Sequence, residues 1–316
     1  MKILMALGTR PEIIKLQPVI SEALKRKRIG AQLLHTGQHY DWNMSLSFFR
    51  EFRLRTPDFF LDVKSGTQGA QLSRIISRAE KVLLESEPDF VVVEGDTNSA
   101  VGVAIAAAKN GIRVAHVEAG CRSFDRNMQE EINRVLIADL ASINFPPTYH
   151  CARNLLKEGI PKERILMTGH PIVDILHRFG KESLPLEFRS RLGLRPKKYA
   201  LVTIHRNENV EDEEKLSSML EELQKLTLNI KLVFPIHPHT RQSLKKFGLF
   251  DKLDGILVID PTNYAQTLSL IHNARIVLTD SGGIQQEAAI LGTPCVTLRN
   301  TTEWIETVNH GVNFLA

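Results

Sequence analysis

Cysteine is scarce in this chain: Cys121, Cys151 and Cys295 are the only three in 316 residues, and no two share a short spacing. That excludes a disulfide-stapled scaffold and a CxxC-type zinc site, and the odd count fits a reducing compartment. Long apolar runs are also missing. None approaches the ~20 residues of a membrane span, so no membrane association is expected. No charge of one sign dominates, the formal excess being only +4. The basic runs Lys25–Arg28 and Arg195–Lys198 lack aromatic interleaving or a binding motif, so they read as solvated faces and not as a nucleic-acid footprint. A G-x-G-x-x-G turn with a following acidic residue is absent, which speaks against a nicotinamide cofactor. His237-x-His239 alone is a weak metal signal, and Pro238 between the two reads as loop, so no metal is expected. There is no low-complexity tract and no visible sequence repeat. Lys2–Leu7 runs directly into a strand pattern, from which a cytoplasmic protein without a signal peptide is expected.

What is present is a soluble globular composition, 43% hydrophobic and 24% charged, in a chain long enough for two domains. Short apolar runs alternate with helical patterns. Strands are read at Lys2–Leu7, Ala31–Thr36, Asp89–Glu94, Ile112–Val117, Ser142–Phe145 and Ile165–Thr168. After Gly169 the alternation restarts, with strands at Tyr199–Ile204, Ile230–Ile236, Ile256–Asp260, Ile276–Thr279 and Pro294–Leu298. Helices are expected near Glu12–Arg28, Met44–Phe52, Thr67–Glu85, Tyr149–Gly159, Pro171–Phe179 and Glu211–Leu228. Ser99–Lys109, apolar on every side, predicts a buried helix closed by Asn110-Gly111. Lys181–Lys198 reads as exposed. The pattern predicts an α/β chain of two doubly wound parallel sheets, one over residues 1–169 and one over 170–316.

One stretch is especially informative. Ile276–Arg299 reads as strand, polar turn (Asp280-Ser281-Gly282-Gly283), helix (Ile284–Leu291) and strand. Ser281 is placed to cap the helix, and the two glycines allow a ligand close to the first turn. Free N–H groups and the positive helix end suit a phosphate. Glu287 lies six residues further, roughly 9 Å along the axis at ~1.5 Å per residue. That is about the separation of a diphosphate from its ribose.

Polar clusters follow the strands elsewhere too: Arg10 and Lys15 after the first, Asp96 after the third, Glu118 after the fourth, and His205 in the second half. Each has a purely structural alternative. Arg10 could pair with Glu12, Lys15 could be solvated, His205 could be a satisfied buried histidine, and Asp96 could cap a helix. Ligands of doubly wound sheets bind outside the strand carboxyl ends, however, so the joint pattern favours a cleft between two domains. Cations (Arg10, Lys15, Arg299) and helix amides suit a diphosphate, as anchor and as leaving group. The carboxylates Asp96, Glu118, Glu130 and Glu131 read as proton-transfer groups or hydroxyl acceptors. Their pKa values are expected to be raised by neighbouring negative charge.

Gly8–Ile20 (GTRPEIIKLQPVI), Thr36–Tyr40 (TGQHY), Gly95–Ser99 (GDTNS), His116–Arg126 (HVEAGCRSFDR), Glu130–Arg134 (EEINR), His205–Asn209 (HRNEN) and Asp280–Ala288 (DSGGIQQEA) together resemble the non-hydrolysing UDP-N-acetylglucosamine 2-epimerases. The likeness runs in order from Lys2 to about Thr302. It implies a glycosyltransferase-B-like fold of two Rossmann-like domains. It also implies interconversion of UDP-N-acetylglucosamine and UDP-N-acetylmannosamine, in a homodimer, without metal or nicotinamide. In that chemistry the C2 proton leaves as UDP departs from C1, giving 2-acetamidoglucal. UDP then returns with a proton delivered to the opposite face.

By motif position, Asp96, Glu118, Glu130 and His205 match the family's catalytic groups. Arg10, Lys15, Ser281, Gly282, Gly283, Glu287 and Arg299 match its UDP contacts. Gln38, His39, Arg206 and His237 match positions around a second UDP-N-acetylglucosamine that acts as activator. Gln129 departs from the proline expected before the paired glutamates, Gln286 from the first glutamate of QEEA, and Thr267 from an aromatic near the uracil. Family members continue past the position of Ala316, from which a weakened catalyst or one closed by a partner is expected. A glycosyltransferase-B-type transferase, a hydrolysing epimerase, an epimerase of a diacetamido-uronic acid derivative and a non-catalytic nucleotide-sugar sensor remain as alternatives.

Overall fold

A computed structural model describes residues 1–38, 49–179 and 186–316. His39 and most of the stretch read as the Met44–Phe52 helix lie outside the described residues. The chain divides into two compact units, Met1–Ile175 and Leu176–Ala316. Among the described residues no helix is long and apolar enough to cross a membrane.

In unit 1 the strands are β1 (Lys2–Leu7), β2 (Gly30–His35), β3 (Phe59–Phe60), β4 (Phe90–Glu94), β5 (Arg113–Val117) and β6 (Ile143–Phe145). They form a six-stranded sheet in the order β3-β2-β1-β4-β5-β6, and every pairing is parallel. The main helices are α1 (Arg10–Lys25), α2 (Gln68–Ser86), α3 (Asn98–Lys109), α4 (Gln129–Leu140), α5 (Tyr149–Lys157) and α6 (Pro171–Phe179), the last running across the division into unit 2. Near-continuous apolar strands are what a sheet covered on both faces requires. Leu4, Ala6, Val91 and Val93 pack with α2 and α3 on one face, while the alternate residues Met5, Leu7 and Val92 are buried as well. Helix α3 is buried along its length, as its composition predicts, and a Cβ on Gly102 would come within 2.6 Å of Ile75 on α2.

Unit 2 repeats the plan. Strands β7 (Tyr199–Thr203), β8 (Lys231–Pro235), β9 (Ile256–Ile259), β10 (Ile276–Thr279), β11 (Cys295–Thr297) and β12 (Asn313–Leu315) form a parallel sheet in the order β12-β11-β10-β7-β8-β9. Read from its own first strand, this is the same winding as in unit 1. The period of two shows in the core, where Ala200 and Val202 pack with Leu216 and Leu220 on one face. Tyr199 and Leu201 pack with Leu270 and Ile271 on the other.

The structure corrects several readings. Ile165–Thr168 is no strand; only an isolated bridge joins Ile165 to Asn144. One strand of each sheet not read from the sequence, β3 (Phe59–Phe60) and β12 (Asn313–Leu315), is too short to show a period. Lys181–Lys198 is mostly exposed over its described residues, as read, but it contains a helix, Leu186–Arg191, in which Arg189 is buried. Pro238 does not mark a loop: it opens the helix Pro238–Phe247 with His237 as N-cap, the position where its missing N–H costs nothing.

Candidate active site

In a sheet of this winding the strand order reverses between its first and fourth strands, and the loops at that point diverge to leave room for a ligand. In unit 1 these are the loops after β1 and β4; in unit 2, those after β7 and β10.

The loop after β1 is fastened by Glu12. One of its oxygens accepts the backbone N–H groups of Gly8 and Thr9 at 2.8 and 2.6 Å, and the other accepts the Thr97 hydroxyl at 2.6 Å. A single buried carboxylate thus ties the β1 loop to the β4 loop. Burial lifts its pKa from 4.5 to about 7, against the pull of these hydrogen bonds. Gly8 allows the approach, since a Cβ there would lie 1.9 Å from Ser99 Oγ and 2.3 Å from Thr36 Oγ1.

Lys15, three residues beyond Glu12, is not solvated. Its Nζ lies 3.0 Å from Glu94 Oε1 and 2.6 Å from Glu118 Oε2. Burial alone would lower the Lys15 pKa, but the charges of Glu118 and Glu94 outweigh it and hold it above the usual lysine range. Glu118 follows β5 with φ +65°, a left-handed conformation costing a non-glycine residue about 1–3 kcal/mol. Its Oε2 also accepts Nε2–H of His170 at 2.6 Å, while His170 Nδ1 accepts the N–H of Ile172 at 3.0 Å. Burial would raise the Glu118 pKa; Lys15 and His170 together hold it well below the usual carboxylate range. Glu94 goes the other way: burial raises it well above its ordinary value despite Lys15.

Asp96 does not cap α3; Thr97 does, its Oγ1 accepting the N–H of Ala100 at 3.0 Å. The Asp96 side chain is free of that duty and meets Arg134 at 2.6 Å. Burial raises its pKa, Arg134 opposes, and the charges of Glu130 and Glu118 raise it further. The expectation that neighbouring negative charge raises all these carboxyls therefore fails for Glu118, where two donors on one oxygen, the Lys15 ammonium and the His170 N–H, decide the direction, and for Asp96 burial is the larger cause. Glu131 is structural. It accepts Ser123 N–H at 2.9 Å, Phe124 N–H at 3.1 Å and Arg134 at 3.1 Å, holding the loop before α4. Gln38 is buried, its carboxamide oxygen accepting both the N–H and hydroxyl of Ser99 at 2.8 and 2.6 Å. The Cys121 and Cys151 thiols, far apart in sequence, approach to 3.3 Å as free thiols.

In unit 2 the organiser is Asp280, fully buried at the end of β10. Its oxygens accept the backbone N–H groups of His205 at 2.9 Å and Arg206 at 2.9 Å, the Asn209 amide at 3.1 Å, and His205 Nδ1 at 3.0 Å. Burial would raise its pKa, but these donors lower it. The His205 ring is held by this carboxylate with about a third of its side chain exposed and lies 5.5 Å from the His237 ring, centroid to centroid.

The glycine turn opens the helix Gly282–Ile290, two residues earlier than expected. Ser281 occupies the N-cap position, but its side chain makes no capping hydrogen bond. A Cβ on Gly282 would meet Glu303 Oε1 at 2.3 Å, whereas one on Gly283 would meet only Ser281 Oγ, at 3.9 Å. Glu303 in turn takes Arg299 at 3.2 Å, and both are buried, as is Glu287 further along the helix. Thr267 bonds the Thr262 hydroxyl at 2.8 Å. Among the described residues no three His, Cys, Asp or Glu side chains could hold a metal ion together.

The switch point of unit 1 thus gathers Lys15, Asp96 and Glu118 with Glu12, Glu94, Arg134 and His170, four residues the sequence reading did not single out as site groups. That of unit 2 gathers His205, Arg206 and Ser281–Gly283 with Asp280 and Glu303. Glu94 and Asp280 carried a legible signal as polar residues at strand carboxyl ends. His170 carried none beyond its place between Gly169 and Pro171.

Comparison with known proteins bears on this arrangement. The family model for UDP-N-acetylglucosamine 2-epimerase matches residues 22–316. A UDP-N-acetylglucosamine 2-epimerase of Methanocaldococcus jannaschii is 46% identical over 100% of this chain and 88% of its own length. A UDP-2,3-diacetamido-2,3-dideoxy-D-glucuronate 2-epimerase of Pseudomonas aeruginosa is 40% identical, over 100% of this chain and 88% of its own. The crystal structure of the M. jannaschii enzyme with UDP-GlcNAc and UDP superposes with a TM-score of 0.92, covering 100% of this chain and 89% of that one. The Neisseria meningitidis enzyme bound to UDP-GlcNAc gives 0.90 at 32% identity, over 100% and 87% of the two chains. Matched along nearly its whole length in both sequence and fold, the chain belongs to the UDP-N-acetylglucosamine 2-epimerase family.

Proposed function

We propose that the protein is a non-hydrolysing epimerase that interconverts UDP-N-acetylglucosamine and UDP-N-acetylmannosamine at C2, by elimination of UDP to 2-acetamidoglucal and re-addition. The observation that carries this reading is the cluster of unit 1 carboxyls, Glu118 bound by Lys15 and His170 at 2.6 Å and Asp96 by Arg134 at 2.6 Å, with acidities shifted in opposite directions, in a chain whose relatives crystallise with UDP-GlcNAc and UDP. Groups pushed apart in acidity divide acid–base labour. Glu118, held ionised, stabilises the positive charge that develops as the C1–O bond breaks. Asp96, whose proton affinity is raised by burial, exchanges the C2 proton, and Glu130 is the second proton carrier that inversion requires.

The diphosphate is held by the N–H groups at Ser281–Gly283 together with Arg10, Lys15 and Arg299, and the ribose hydroxyls by Glu287. His205, oriented by Asp280, steadies or protonates the departing phosphate. A homodimer and a second UDP-N-acetylglucosamine as activator, near Arg206 and His237, belong to the same proposal. Sedimentation and cooperative kinetics test them. Gln38, with its amide oxygen already engaged by Ser99, suits that second site less well.

The test is proton NMR of UDP-N-acetylglucosamine with the protein in heavy water, without acceptor. Deuterium appearing at C2 with both epimers present is the expected result, and Asp96→Asn should abolish it while sparing UDP binding. Free N-acetylmannosamine would point instead to hydrolysis, and an unchanged spectrum would refute the proposal. The P. aeruginosa relative favours a second substrate, a UDP-diacetamido-uronic acid. Running both sugars in parallel separates the two.

A further inference from the structure

Glu118 is an unusual carboxylate to build into a site. Its backbone is left-handed, so the extended geometry of β5 does not set the direction of its side chain. Both polar contacts it makes fall on one oxygen: Lys15 Nζ and His170 Nε2 each lie 2.6 Å from Oε2. Oε1 receives no hydrogen bond from the described residues. Such an arrangement pins the carboxylate and leaves one oxygen for a ligand.

We propose that His170 is a positioning residue for Glu118, fixing the direction of its carboxylate. This deepens the function proposed above and rests on it. The local chain makes His170 rigid. Gly169 has φ +83°, a turn that a side chain would strain, and Pro171 confines the residue before it to extended backbone. The imidazole is then fixed by its other nitrogen. Because Nδ1 accepts the N–H of Ile172 at 3.0 Å, a neutral ring must carry its proton on Nε2, the nitrogen that faces Glu118. A histidine that merely filled space would not need both nitrogens committed, one of them to an oxygen already bound by Lys15.

The test compares His170→Ala with His170→Gln, whose amide nitrogen can replace the Nε2–H donor. Loss of the donor in the alanine variant should lower kcat for epimerisation on the order of 10-fold, the usual scale for removing a group that orients an active-site side chain. KM and the UDP dissociation constant should stay within about twofold, since Lys15, the proposed UDP contact that shares this oxygen, keeps both Glu94 and Glu118 as partners. The glutamine variant should regain most of kcat. Equal loss of kcat and UDP affinity, full kcat in the alanine variant, or failure of glutamine to rescue would each overturn the proposal. Nitrogen-15 NMR of the His170 ring in the unaltered protein gives a readout besides activity, with the Nε2–H tautomer expected and the Nδ1–H tautomer contradicting it. If the unaltered protein does not epimerise at all, the proposed function fails, and the ring tautomer still decides whether His170 serves Glu118.

Discussion

Glu12 and Glu118 are both buried carboxylates, yet burial wins for one and ion pairing for the other. Glu12 has only neutral donors, the N–H groups of Gly8 and Thr9 and the Thr97 hydroxyl, so desolvation lifts its pKa to about 7. Glu118 has Lys15 and His170 and moves the opposite way. This difference has a measurable consequence. Between pH 4.5 and 7 the unfolded chain has lost the Glu12 proton while the folded chain keeps it, so this group's contribution to stability falls as pH rises and levels off above 7. At ~1.4 kcal/mol per pKa unit the total is at most on the order of 3 kcal/mol. Glu12→Gln cannot titrate. Urea unfolding at a series of pH values should show the variant gaining on the parent protein across that window. A difference independent of pH would mean that Glu12 ionises normally. Asp280, with its lowered pKa, acts in the other sense: its contribution is present at neutral pH and is lost on acidification through its folded pKa, outside this window.

At the scale of elements, the helix Gly282–Ile290 was legible from its glycines, but its surroundings were not. Sequence placed Ser281 as a capping side chain; in the structure that side chain makes no cap bond, and Glu303, twenty-odd residues on, packs against Gly282 instead. Glu303 is tied to Arg299, so it cannot yield to a new methyl without displacing that buried cation, one of those proposed to hold UDP. Gly282→Ala should therefore cost about 1–3 kcal/mol of unfolding free energy, as overpacking does. Gly283→Ala, with its nearest neighbour at ordinary contact distance, should stay within about 0.5 kcal/mol. Both should weaken UDP binding by calorimetry. Equal stability of the two variants would remove Glu303 from the account of this helix.

For the molecule as a whole, the expected α/β class holds: two Rossmann-like, doubly wound units with one strand order, as in the glycosyltransferase-B-like epimerase relatives. If unit 2 carries the nucleotide, UDP alone at 100 times its dissociation constant should add about 2.7 kcal/mol to stability by mass action. Hydrogen-exchange protection should then concentrate around residues 203–206 and 281–287. Adding the sugar, as UDP-N-acetylglucosamine, should extend protection to residues 94–97 and 118. Protection by UDP confined to unit 1 would reverse the proposed division of labour.

The sequence by itself determined the strand–helix alternation, because apolar runs and their period are local properties of a chain that must bury both faces of a sheet. It also determined which strand ends carry polar chemistry, from Arg10 through Asp96 and Glu118 to Ser281. Only the tertiary structure decided what those groups become. Lys15 lies between Glu94 and Glu118, Arg134 meets Asp96, and Asp280 holds His205, all through contacts between residues far apart in the chain. Charge state follows from burial and from neighbours in space, and neither is written in local spacing. His170 stands fifty-two positions from Glu118 in the chain and 2.6 Å from it in the fold.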